Sequence, residues 1–199
     1  MQKNNYKTYW SVKTLVFMAL LIAMQLVLGR VLVIDLGPYR ITVGSVCTIL
    51  AGLWLGPVAG GVCGLCADVI GCFIKGYAVN PLITVAAIMW GVIPALMKPL
   101  FVNKNKTGKT VGICVSVVFT GICSSLICTT AGLVLILGYN FYAIMPGRIV
   151  QFAIMMPVYC VLTCLLYFSP VTRMVVQNVT SGDVNHVAVE AVPSQIEKK

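Results

Sequence analysis

A chain of 199 residues that is 59% hydrophobic and only 10% charged falls far below the roughly one-quarter charged share of soluble domains, which excludes a water-soluble enzyme core. Its net charge of +9 would point to nucleic acid in a soluble protein, but in so apolar a chain basic residues mark cytoplasmic loops. At about 20 apolar residues per crossing, the length holds about six spans, so the expected fold is an all-α membrane protein, a single bundle of about six transmembrane helices.

Residues 1–11 form a short polar arm with Lys3, Lys7 and an interfacial Tyr9-Trp10 pair. The arm resembles the start of a signal peptide, yet the apolar run continues past Ala23 without a convincing small-residue cleavage site, so it is read as a retained span. Span one runs from about Val12 to Ile34, contains the small-xxx-small pair Ala19 and Ala23, and ends on Arg30 and Asp35. A turn follows at Asp35-Leu-Gly-Pro-Tyr39, and Arg40 opens span two, which runs to about Leu55. Gly56-Pro57 reads as a tight turn into span three, Pro57 to about Ile74. The segment Lys75 to Pro81 is a loop, because Pro81 disfavours helix at Asn80. Span four runs on to about Phe101, with a kink expected at Pro94. A basic polar loop over 102–109 precedes span five, Val111 to about Leu137. A loop around Gly138 to Pro146 leads into span six, Gly147 to about Phe168. The six-helix unit thus covers 12–169, and the polar segment 170–199, lacking helical periodicity, is expected to be a disordered cytoplasmic tail.

The stretch from Val43 to Pro81 organises the rest. Gly52, Gly56, Gly60 and Gly64 recur every fourth residue, the spacing that lets helix backbones approach closely inside membranes. Asp68 lies in the same apolar run, where a carboxylate is costly and therefore a functional-site candidate. The alternative for Asp68 is a structural pair with Arg30 or Arg40 that pins helices together.

With six spans, both termini and the loop at Lys104 share one side, and ten of the 14 basic residues collect there. The positive-inside rule makes that side cytoplasmic. The outer side keeps Arg30, Arg40, Lys75 and Arg148, each at the end of a span. Those cations exceed Asp35 and Asp68 in number, and a mouth so lined favours an anionic ligand. Arginines that merely snorkel to outer headgroups are the plainer explanation for any one of them.

Several motifs fail. Gly108-Lys109-Thr110 looks like the end of a P-loop, but the first glycine position is Asn103 and no strand precedes it, so the chain has no ATP site of its own. Cys63-Gly-Leu-Cys66 has metal spacing without a second pair or a nearby histidine, so no metal is expected and the nine cysteines read as small buried packing residues. The sequons at Asn105 and Asn178 fall on the cytoplasmic side. No second intramembrane acid stands ready to work with Asp68, which argues against a membrane enzyme.

Ala19-x-x-x-Ala23, Arg40-Ile-x-x-Gly44, Leu50-Ala-Gly-Leu-Trp-Leu-Gly-Pro57, Gly60-x-x-x-Gly64-x-x-x-Asp68-x-Ile-Gly71 and Pro146-x-Arg148-Ile together resemble the substrate-binding component of energy-coupling factor vitamin transporters, and within it the folate group. The resemblance covers residues 12 to 168 and is strongest from Leu50 to Gly71. It implies a six-helix protein that captures a vitamin at its outer face and docks on a transmembrane coupling subunit driven by two cytoplasmic ATPases. Ala19 and Ala23 would contact that subunit, though packing within the bundle explains them equally well. No cofactor is implied in this chain, since ATP is used by the partners. Folate suits the positive mouth: its glutamate end carries two carboxylates, and its pterin could stack on Tyr77 or Trp90. The loop carrying Tyr77 and Asn80 is expected to lid the pocket. That loop, Gly76-Tyr-Ala-Val-Asn-Pro81, lacks the aromatic-Pro-Gly step of the folate group, which leaves riboflavin or pantothenate as alternative vitamins. A self-sufficient carrier is the remaining rival, against which the absence of internal repeats counts.

Overall fold

The computed structural model describes residues 12–31, 34–36, 39–76, 78–101 and 105–170, together with 172 and 175. The expected arm over 1–11 and nearly all of the expected tail lie outside the described residues, as does Tyr77.

α1 (Val12–Leu26) buries only Thr14, Met18 and Leu21, a stripe spaced four and three residues apart. That stripe packs on Ala51, Ala59 and Cys63, so α1 lies at the periphery of the bundle, mainly against α2 and α3 among the described residues. The helix then widens into a π-helical turn, Val27–Val31. Next comes an antiparallel hairpin, β1 (Ile34–Leu36) with β2 (Tyr39–Ile41), pairing Ile34 with Ile41 and Asp35 with Arg40. Arg40 therefore stands on a strand instead of opening a span, and α2 begins only at Ser45. Thr42 fixes this boundary: its hydroxyl donates to Leu28 O at 3.1 Å and accepts from Gly44 N at 3.1 Å, diverting the backbone from helix until Ser45.

α2 (Ser45–Leu55) has 11 residues, about 16 Å of helix, too short to cross a bilayer core of about 30 Å alone. Gly56, at φ +97°, turns it directly into α3 (Pro57–Lys75). Here Pro57 matters twice. It suits the first helical position, and it lacks the N–H that would have bonded Leu53 O four residues earlier. Lys98 repairs that loss by donating from Nζ to Leu53 O at 2.7 Å. α3 ends on left-handed Gly76, φ +67°, the usual backbone for a helix stop. α4 (Pro81–Phe101) continues through Pro94 and Pro99.

The next rod is one helix in three parts: α5 (Lys106–Gly121), a π-helical stretch Ile122–Thr129, and α6 (Thr130–Leu135). Lys106 and Lys109 belong to its first turn, with Lys109 N bonded to Asn105 O at 2.9 Å, although the sequence reads as loop to Lys109. Polarity there reports departure from lipid and not loss of helix, since lysine is a good helix former. α7 (Phe141–Phe168) starts six residues before the expected Gly147, because Asn140 caps it through Tyr142 N at 3.1 Å. Pro146 is thereby absorbed into the helix; the carbonyl it frees belongs to Tyr142, at the exposed start of α7.

Among the described residues, five helical segments are long and apolar enough to cross a membrane, with α2 as a shorter sixth rod. Large apolar side chains such as Phe73, Leu135 and Leu165 cover the outside, a surface suited to hydrocarbon. α2, α3 and α4 form the tight centre. A Cβ on Gly60 would stand 2.6 Å from Gly52 Cα and 2.8 Å from Gly91 O, so these backbones touch. Gly56 has open space around it and serves the turn instead.

Candidate ligand-binding site

Because successive rods run antiparallel, one end of the bundle gathers the ends of α1, α3 and α6 with the starts of α2, α4 and α7. A cavity of about 630 Å³ opens there, within the size range of small-molecule sites. Its depth is aromatic and soft. Trp90 of α4 meets Tyr159 of α7 edge-to-face, with centroids 5.3 Å apart and planes at 70°, and Phe152, Met155 and Met156 complete that wall. Tyr159 also donates from Oη to Thr42 O at 2.7 Å, tying α7 to the link between β2 and α2.

The polar groups come from different rods. Asp68, about two helical turns from the carboxyl end of α3, accepts a hydrogen bond at Oδ2 from Thr84 Oγ1 of α4 at 2.9 Å. Thr84 lies 3.1 Å from Asn80 O as well, so a single buried hydroxyl links the acid to the start of α4. Asn80 is buried with its amide committed: Nδ2 donates to Gly132 O at 3.0 Å and Oδ1 accepts from Leu82 N at 3.1 Å. It lines the cavity as a brace between α4 and α6. Arg148, only 6% exposed, reaches Gln151 Oε1 from Nη1 at 3.4 Å. Gln25 of α1 accepts from Thr48 Oγ1 of α2 and closes the side of the cavity under the π-helical turn.

Of the site residues read from the sequence, Asp68, Asn80, Trp90 and Arg148 line this one cavity. Lys75 is in the last turn of α3 and is not among the lining residues. Arg30 follows the lining Gly29 on the π-helical turn, and Arg40 is on β2; their side chains lie outside the described residues, and so does Tyr77. Sequence reasoning passed over Gln25, Thr48, Ser125, Thr129, Gln151 and Tyr159. For Gln25 and Gln151 a signal existed, since an amide inside an apolar span is as out of place as an acid. The hydroxyls gave none, because serine and threonine can bond their own helix backbone anywhere in a span. Ala19 and Ala23 are exposed on α1, away from its buried stripe.

An apolar bundle with a polar cavity at one end defines a class: a membrane protein that holds a small molecule. A family model, described as ECF transporter, substrate-specific component, matches residues 13–167, and the chain belongs to that family. It is a multi-pass membrane protein and one component of a transporter with further subunits. It is 29% identical over 152 residues to the folate transporter FolT of Clostridium novyi (strain NT), covering 75% of this chain and 85% of that protein. Its fold is similar to a crystal structure of FolT bound with folic acid, at a TM-score of 0.66 and 24% identity over 78% of this chain and 92% of the other.

Proposed function

We propose that this chain captures folate at the outer face of the cell membrane and hands it to a transmembrane coupling subunit powered by two cytoplasmic ATPases. The observation that carries the reading is the cavity that Asp68 and Arg148 line together with the Trp90–Tyr159 pair. Folate needs this combination, a ring face for its pterin, an acceptor for ring donors and a cation for its carboxylates. The curated relative's name supports folate over riboflavin or pantothenate. By sequence, the cavity end carries four of the 14 basic residues, Arg30, Arg40, Lys75 and Arg148, and the other ten, Lys98, Lys106 and Lys109 among them, fall to the opposite side, so the positive-inside rule makes the cavity end outer and both termini cytoplasmic. Ala19 and Ala23, exposed small residues on the peripheral helix, form the docking face. The chain works by binding, not catalysis, and holds no cofactor of its own; ATP is spent by its partners.

The test is native mass spectrometry of the purified chain, followed by folic acid titration read by tryptophan fluorescence. Saturable one-to-one folic acid binding is expected. Retention of riboflavin or pantothenate, with no folic acid binding, would overturn the substrate.

A further inference from the structure

Two stretches of this bundle wind as π-helix, and both border the cavity. The longer, Ile122–Thr129, runs for eight residues, whereas such winding usually lasts a single turn and recurs at functional sites. Its sequence ICSSLICT holds no proline or glycine to force the departure. Side-chain bonds hold it instead. Ser124, fully buried, donates from Oγ to Ala86 O of α4 at 2.8 Å. Thr129 Oγ1 donates to Ser124 O at 3.0 Å and Thr130 Oγ1 to Ser125 O at 3.4 Å. Both reach five residues back, the reach of a π turn.

The winding decides what the wall presents. On regular α-helix, positions four apart step about 40° round the axis, so Ser125, Thr129 and Leu133 would fan across about 80°. Here all three line the cavity. Thr129 has spent its only proton on Ser124 O, so toward the cavity it offers lone pairs alone. We propose that Ser124 is a positioning residue: its bond to Ala86 holds the wide winding that keeps Ser125 and Thr129 on the ligand, so that Thr129 presents acceptor lone pairs to ring edges that carry N–H donors. The proposal rests on the binding reading of the cavity and adds to it how one wall is set.

The test uses the full chain in lipid nanodiscs. Ser125→Cys is placed in the parent and in Ser124→Ala, and its reaction with a charged, water-borne thiosulfonate is followed, with chains lacking the new cysteine as background. Labelling at position 125 should slow by at least about tenfold when Ser124 is alanine, because that position turns from the cavity; equal rates would overturn the proposal. Folic acid affinity should fall by about tenfold, about 1.4 kcal/mol, while the ligand-free melting temperature stays near the parent's. Unchanged affinity would count equally against it, and so would a drop in melting temperature alone. Thr129→Val, which removes the second tether at constant shape, is read by the labelling assay alone should Ser124→Ala fail to fold, because Thr129 itself faces the ligand; slower labelling at position 125 is expected and an equal rate would overturn the proposal. If the parent binds no folic acid, the folate reading falls while the labelling comparison still decides the role of Ser124.

Discussion

Asp68 is held in one direction, because Thr84 on the neighbouring helix holds one carboxylate oxygen at 2.9 Å. A carboxylate that must find its direction on binding loses side-chain entropy; one braced in advance loses less. Asp68→Asn keeps the shape and removes the charge, so folic acid affinity should drop by about tenfold or more, about 1.4 kcal/mol, with the protein still monodisperse. A lowered ligand-free melting temperature with unchanged affinity would instead make Asp68 a structural residue. Thr84→Val should give a smaller loss, about 0.5–1.5 kcal/mol, and the double-mutant cycle with Asp68→Asn should show the two effects to be non-additive. Arg148 is a buried cation lining the same cavity. Arg148→Ala should weaken folic acid by about 1.5–3 kcal/mol if it bonds a ligand carboxylate, and by much less for a ligand without one. Titration with folic acid and with a pterin lacking the glutamate separates those outcomes.

At the scale of helices, two devices let α2 end, turn and pack within a few residues. The glycine contact among Gly52, Gly60 and Gly91 brings backbones together where no side chain fits. Gly60→Ala sets a methyl 2.6 Å from Gly52 Cα, and backbone cannot yield as a flexible side chain does. A loss of about 1–3 kcal/mol is expected, read as a lower melting temperature in detergent. The second device is Lys98, whose ammonium group serves the carbonyl orphaned by Pro57. Lys98→Met should cost about 1–3 kcal/mol of stability for the unsatisfied Leu53 carbonyl, while folic acid affinity, set at the other end of the bundle, stays as in the parent. A parent-like melting temperature would mean that water reaches Leu53 O unaided. The sequence placed Gly52, Gly60 and Gly64 on this ladder correctly but did not identify Gly91, which lies on a different helix with no pattern of its own.

For the whole molecule, the proposed function puts capture and docking on different surfaces. The cavity draws on all six rods, while Ala19 and Ala23 face outward from a helix that packs mainly on α2 and α3 among the described residues. Replacing both alanines with leucine should leave folic acid binding and melting temperature within about 0.5 kcal/mol of the parent, as for surface positions generally. Vitamin uptake by cells should nonetheless be lost if a coupling subunit must approach that face closely. Loss of binding together with uptake would place the alanines in the packing of the bundle.

The membrane class, the six rods, the turns at Gly56 and Gly76, and the placing of Asp68 and Arg148 near one mouth were all legible in the sequence. They follow from local chemistry, namely how long an apolar run is, where glycine and proline interrupt it, and where a charge intrudes. The short α2, the hairpin before it, the π-helical wall and the set Gln25, Thr48, Gln151 and Tyr159 were decided only by tertiary structure. In lipid the outward face of a helix is as apolar as its packed face, so hydrophobic periodicity, which reveals the core of a soluble protein, says little about which side faces in. The contacts that choose that side are remote in sequence. Tyr159 reaches Thr42 across 117 positions and Asn80 reaches Gly132 across 52, and no pattern read along the chain contains either pairing.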